Sequence, residues 1–300
     1  MTAALVCAAA LPAPAGAAPT DPSRRLGGAH APAPALPERR AAVPVSSPQS
    51  SLRVIIFGRS VRGRQLVAVR RWRPGAPAVR VLVIGQVHGD ERAGAQVARL
   101  LRRGGLPEGI DLWVVPTANP DGLAARTRVN ARGVDLNRNF PVLWRARGAR
   151  GSSTWPGPSA ASEPETRALL GLVRRVDPQM TVVLHQPLHG VDSYGARARP
   201  LVRALAERAG LPVKTFSCGS GGCSGTFGQW HNTELPGSSV TVELERHPSA
   251  ARVQRVARAV LEVAATLPPA PAGTVPDGAA ASRRTAAPHR HPLRPVQRGG

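Results

Sequence analysis

Lysine is nearly absent from this chain. Lys214 is the only one, although Lys and Arg together number 40 against 18 Asp and Glu, for a formal net charge of +22 over 300 residues. Aromatic residues are also scarce, at 3%. The arginines are spread along the sequence, not gathered into one block with interleaved aromatics as nucleic-acid recognition would favour. No specific nucleic-acid partner is therefore expected. The charge implies a loose attraction to anionic surfaces, a bacterial cell wall among them. The excess of Ala, Arg, Gly and Pro over Lys has the look of GC-rich coding. Long apolar runs are lacking too: no stretch reaches the roughly eighteen residues that a membrane span needs.

Both ends are poor in apolar periodicity. Residues 1–50 are dominated by Ala, Pro, Ser and Arg, and 267–300 by a basic Pro/Ala-rich tail; neither composition builds a core. One domain is expected between them, over residues 51–266, long enough for a substantial core. Residues 1–18 carry a short apolar run and an Ala-Gly-Ala sequence, like the end of a signal peptide without its basic region. That predicts a secreted or cell-envelope protein, with a cytoplasmic location as the alternative. Cys7 would leave with such a leader. Cys218 and Cys223, in SCGSGGCSG, are close enough to close a small loop. In an exported protein a disulfide between them is expected to stiffen the segment before Trp230, with two reduced thiols as the alternative.

Within the domain, strand-like and helical stretches alternate. Arg53–Phe57 and Gln65–Val69 read as a hairpin around a Gly-bounded turn. VLVIGQVHGDE at 81–91 is a buried strand that runs into His88 and Glu91, and the residues after it are helical up to Gly104. Ile110–Pro116 is a second core strand, followed by TANPDG, a turn by composition. Residues 123–160 show little periodicity, and so long an irregular stretch points to function. Ser162–Val176 reads as a helix with a Ser162/Glu165 capping box. Met180–Leu184 is a strand ending on His185, 198–209 a helix, VKTF at 213–216 a short strand, Ser239–Leu244 a strand carrying Glu243, and 250–266 a closing helix. This alternation predicts an α/β protein, a three-layer α/β/α domain on a mixed, mostly parallel sheet. Ligands of such sheets collect beyond the strands' carboxyl ends.

Those ends carry the polar residues. His88 and Glu91 follow one buried run, His185 closes another, and Glu243 sits near the end of a third. Two His and one Glu are a three-ligand set for catalytic zinc, with a fourth position left for water. Each alone has a plainer reading: a hydrogen-bonded core histidine, a helix-start carboxylate, or, for Glu243, a strand-end ion pair with Arg246.

The phrases HGDE at 88–91, NPDG at 119–122, GVDLNRNFP at 133–141, LHQP at 184–187 and VTVELE at 240–245 together resemble the zinc carboxypeptidase family, in family order. The resemblance implies one Zn2+ held by His88, Glu91 and His185, Glu243 as general base, Arg128 on the oxyanion, and Asn137 with Arg138 on the substrate's terminal carboxylate. GQWHNTELPG lacks the tyrosine that caps substrate in the pancreatic members. His231 is a candidate replacement, against the plainer reading of a solvated loop histidine; Tyr194, the only tyrosine, reads as packing. With 93 residues between Glu91 and His185, the chain is most similar to the bacterial murein peptide amidase branch. That implies a murein-peptide substrate, cut between γ-D-glutamate and meso-diaminopimelate. The other expectations are a general zinc carboxypeptidase, an N-acyl amino acid deacylase, or a noncatalytic wall-peptide binder of the same fold.

Overall fold

The computed structural model describes residues 50–75, 77–217 and 222–269. The expected signal-peptide remnant, both terminal segments and Cys218 lie outside them.

The first elements among the described residues are β1 (Ser51–Arg59) and β2 (Gln65–Trp72), the expected antiparallel hairpin. Then follow β3 (Val79–Ile84), α1 (Ala93–Arg103), β4 (Ile110–Val115), α2 (Pro120–Ala125), α3 (Pro164–Val176) and β5 (Met180–His185). Next among the described residues come β6 (Leu188–Asp192), α4 (Arg199–Ala209), α5 (Phe227–Glu234), β7 (Ser238–Glu245) and α6 (Ala250–Ala264). Among these residues seven strands form one sheet in the order β1-β2-β4-β3-β5-β7-β6. The four inner strands, β4, β3, β5 and β7, pair in parallel, while β1, β2 and β6 join antiparallel at the flanks. The sheet is thus mixed around a parallel block, with antiparallel ribbons outside it.

Strand side chains alternate between faces, and the core splits accordingly. Val81, Val83, Val182, Leu184, Val240 and Val242 pack under α1, α4 and α6. Leu82, Ile84, Trp113 and Val183 pack on the other face with Leu169, Leu172 and Val173 of α3 and Phe227 and Trp230 of α5. These are the three layers. His185 shares its parity with Val183, and Glu243 with Thr241, so both belong to the α3/α5 face.

Three local readings are corrected, and one strand is added. NPDG is not a turn: Asn119 caps α2 by accepting from Gly122 N at 2.9 Å, and Pro120 opens the helix, where its missing N–H costs nothing. The capping box on α3 is absent, because the helix starts at Pro164. Ser162 Oγ donates instead to Glu163 at 2.8 Å, and Glu165 accepts from Val61 N at 2.9 Å. VKTF contributes a single bridge, Val213 to Val191, and no strand. The strand on that flank is β6, which the Pro- and Gly-interrupted phrase QPLHG hid.

The long irregular stretch is ordered by buried asparagines. Asn139 Nδ2 donates to the carbonyls of Pro156 (2.7 Å) and Ser159 (3.0 Å) and to Ser162 Oγ (2.9 Å). Asn130 Nδ2 donates to Glu163 (2.8 Å) and Glu165 (3.2 Å). In a segment without a ladder, side-chain amides satisfy the buried polar groups.

Candidate active site

β3 ends at Ile84, but its ladder continues by one bond, Gly85 N to Val115 O at 2.8 Å, and Ala118 N then donates to Gln86 O at 2.7 Å. The loop that follows is fixed from within by Gln86 Nε2, which donates to Gly89 O at 3.0 Å. Gly89 is pressed against the backbone of Gly122, where a Cβ would overlap the carbonyl carbon. Only glycine lets the HGDE loop lie on α2.

That loop brings His88 and Glu91 to His185. His88 Nδ1 lies 2.7 Å from Glu91 Oε1, His185 Nδ1 lies 2.9 Å from Glu91 Oε2, and the two Nδ1 atoms are 3.2 Å apart. All three residues are buried, and one ligand atom from each fits within 4.8 Å of the others. Two imidazole nitrogens and a carboxylate converging on one point are a donor set suited to a divalent cation such as zinc. The far side of His88 is held as well: its Nε2 meets Asp135 Oδ1 at 3.1 Å. A carboxylate there favours the proton on Nε2 and leaves the Nδ1 lone pair turned toward Glu91 and His185.

Asp135 is the residue that the sequence did not disclose. It is fully buried, caps the 3-10 turn Leu136–Arg138 by accepting from Asn137 N at 2.9 Å, and accepts from Arg128 Nη2 at 3.0 Å and Nε at 3.2 Å. Arg128 Nη1 also reaches Glu91 Oε1 at 3.2 Å. One carboxylate therefore orients both His88 and Arg128. Its only sequence signal was its place inside GVDLNRNFP, two residues before Asn137.

Charges at the site are strongly coupled. Burial opposes the ionisation of Glu91, but attraction to His185 and hydrogen bonds from His185 and His88 outweigh it and hold the carboxyl well below its ordinary range. Burial likewise opposes Asp135, and His88 followed by Arg128 holds it down. His88 answers them: burial disfavours its cation, yet Asp135 and then Glu91 raise it to about 9. A bound metal cation would take the place of that proton. Glu243 is different. Burial, the largest influence, raises its pKa, and the Glu91 charge adds to the effect while His185 offsets part of it. It sits across from His185 in the β5–β7 register and accepts from Leu188 N at 3.2 Å, not from Arg246.

His88, Glu91, His185 and Glu243 line one cleft of about 780 Å³ together with Arg128, Asn137 and Arg138. Asn137 is held by Phe227 N, which donates to its Oδ1 at 2.9 Å, and its Nδ2 lies 3.4 Å from His185 Nε2. Burial lowers the Arg138 pKa, with Asp135 opposing that shift. Tyr194 is 44% exposed and lines the cleft; it is not a packing residue. His231, expected in a solvated loop or as a replacement cap, is fully buried on α5, with its Nε2 3.0 Å from Thr181 Oγ1. It is not a cleft residue. Cys223, which borders the cleft, is disulfide-bonded.

A buried His–Glu–His cluster at the carboxyl ends of a parallel block, with a second carboxylate and arginines in the same cleft, defines a metal-dependent hydrolase. Residues 45–195 match the zinc carboxypeptidase family model, and the chain belongs to that family. The matched stretch includes His88, Glu91, Arg128, Asn137, Arg138 and His185 and ends before Glu243. Murein peptide amidase A of Escherichia coli K12 is 35% identical over 187 residues, which cover 58% of this chain and 74% of the relative. The Vibrio campbellii protein of that name is 32% identical over 187 residues, covering 56% and 74%. Among solved structures, the murein-tripeptide amidase MpaA of Escherichia coli O157 superposes with a TM-score of 0.58 at 28% identity, covering 72% of this chain and 92% of that one. Carboxypeptidase A of Helicoverpa armigera shares the fold at 20% identity, with a TM-score of 0.59 and coverage of 71% and 68%. The protein is a peptidase of the zinc-dependent class.

Proposed function

We propose that the chain is a secreted or cell-envelope amidase that cuts the bond between γ-D-glutamate and meso-diaminopimelate in murein peptides. The single observation that carries hydrolysis is the convergence of His88, Glu91 and His185 with Glu243 in one cleft. The murein substrate is supported by the identity to murein peptide amidase A over 74% of its length. The net charge of +22 suits work at an anionic wall.

His88, Glu91 and His185 would hold the zinc, which when bound polarises the scissile carbonyl and acidifies water. The chain's own groups then act in sequence. Glu243 takes the proton of the attacking water, and its raised pKa matches it to carry that proton to the leaving amine. Arg128, fixed by Asp135, places a cation where the carbonyl oxygen gains charge. Asn137 and Arg138 hold the free carboxylate of the leaving residue.

The test is hydrolysis of L-Ala-γ-D-Glu-meso-diaminopimelate before and after treatment with a zinc chelator, with zinc content measured in parallel. Turnover is expected to vanish with the metal and return on adding zinc. Equal activity in both samples would remove the metal mechanism, and cleavage of ordinary C-terminal peptides alone would remove the murein substrate.

A further inference from the structure

The cleft continues past the groups used above. Its wall runs from Glu243 across β6, where Leu188, Gly190 and Asp192 alternate onto the face that Glu243 shares, since Gly190 stands opposite Glu243 in the β6–β7 register. Lys214 lies over this wall. A Cβ at Gly190 would come within 2.9 Å of Lys214 Cδ, so the glycine leaves the room that the lysine stem occupies. The ammonium donates to Leu188 O at 2.9 Å, and two of its three N–H groups remain. In a chain that otherwise uses arginine, this lysine stands at the substrate cleft: a compact cation on a flexible stem.

Two more cations line the same cleft. Arg199 and Arg203 are one turn apart on α4, and both are exposed. Among the described residues, neither makes a side-chain hydrogen bond or ion pair. Like charges at this spacing weaken a helix, so their pairing does not serve the fold. Asp192, the acid that lines the same cleft, forms no ion pair with either arginine among the described residues; its oxygens accept from Ser193 N at 2.7 Å and Phe216 N at 2.7 Å.

We infer that Lys214, Arg199 and Arg203 form a second carboxylate subsite, which reads an acidic group on the side chain of the leaving residue. The inference deepens the proposed function and rests on it for the substrate: meso-diaminopimelate carries a second carboxylate at the far end of its side chain. Asn137 and Arg138 line the same cleft as the three cations, together with Val183, Thr241 and Asp192, so a leaving residue held there by its own carboxylate would carry its side chain into the space that these cations border.

The experiment compares kcat/KM for L-Ala-γ-D-Glu-meso-diaminopimelate and for the same tripeptide with the far carboxylate amidated. The native protein should prefer the free acid by about tenfold, the scale of a few part-exposed charge pairs. In R199Q/R203Q and in K214M that ratio should fall toward one, through KM rather than kcat. Circular dichroism and thermal unfolding identify any variant that fails to fold. A native ratio near one, or variants that slow both substrates alike, would overturn the subsite. If neither tripeptide is cut, the murein reading fails by itself. Peptides ending in Glu or Gln then test the subsite alone: a Glu preference lost in the variants supports it, and equal rates for the two refute it.

Discussion

Two buried histidines on the same side of the sheet have opposite chemistry. His88 and His231 are both almost completely withdrawn from solvent, 2% and 0% exposed. Yet His88 is raised to about 9, and His231 is lowered by burial to about 4. The difference lies in their neighbours. His88 has Asp135 at one nitrogen and Glu91 at the other, whereas His231 has the Thr181 hydroxyl and the Asn232 amide. Burial alone makes a neutral structural histidine; burial between carboxylates makes a site for a cation. A sequence shows both histidines and places Glu91 three residues after His88, but it does not show Asp135 at the far nitrogen.

The largest expected effect belongs to the carboxylate that faces the cluster without joining it. Glu243→Gln keeps the shape and removes the proton acceptor. Turnover of the murein tripeptide should fall by about 10²- to 10⁴-fold, while zinc content by elemental analysis stays at one per chain. A variant that keeps its activity would move the base elsewhere, and one that loses zinc would make Glu243 a ligand.

His231 sets the other side of the comparison. Its folded pKa, about 4, lies below the unfolded value of 6.5, so the unfolded chain binds more protons between those limits. The stability from keeping it neutral is whole above pH 6.5 and is lost as the pH falls toward 4. By pH 5 the loss is about 2 kcal/mol, from roughly 1.4 kcal/mol per unit. Glu243 and Glu165, whose pKa values are raised, act in the opposite sense above 4.5, and Glu91 and Asp135 contribute only below their ordinary values. Urea unfolding of native protein and His231→Gln at pH 7, 6 and 5 isolates the histidine, because the other groups are common to both. The two should converge as the pH drops; parallel curves would mean that His231 does not titrate in this window.

The same contrast explains what the sequence made legible. Apolar runs ending in His88, His185 and Glu243 could be read because a parallel block delivers its strand ends to one edge, and period-2 parity then puts His185 and Glu243 on one face. The hairpin and the helices α1, α3, α4 and α6 followed from periodicity in the same way. What stayed hidden depends on long-range pairing. QPLHG is a poor strand by composition, and it becomes β6 because β7 offers it an edge. His231 looked like a loop residue because WHN carries no apolar repeat, but Phe140 stacks on Trp230 at 5.9 Å and draws that turn into the core. Tyr194 looked like a packing residue because nothing local says that the segment after β6 borders the cleft. Asp135 sat in plain view, and its role needed two partners, His88 and Arg128, that lie 47 and 7 residues away.

Asp135 is therefore the residue whose loss would bring His88 closest to His231. Asp135→Asn retains the volume and the acceptor for Asn137 N, and it removes the charge behind the imidazole and beneath Arg128. Loss of a carboxylate behind a ligating histidine costs roughly 10- to 100-fold in metal affinity. Zinc titration against a competing chelator should show a weakening of that size. Because Arg128 loses its anchor as well, kcat for the zinc-saturated variant should also drop, and excess zinc should restore occupancy without restoring kcat. If saturating zinc recovers full turnover, Asp135 acts through His88 alone and Arg128 is held in place by Glu91. If zinc affinity is unchanged, the imidazole is oriented by Glu91 and His185 without help from Asp135, and the contrast with His231 rests on those two neighbours.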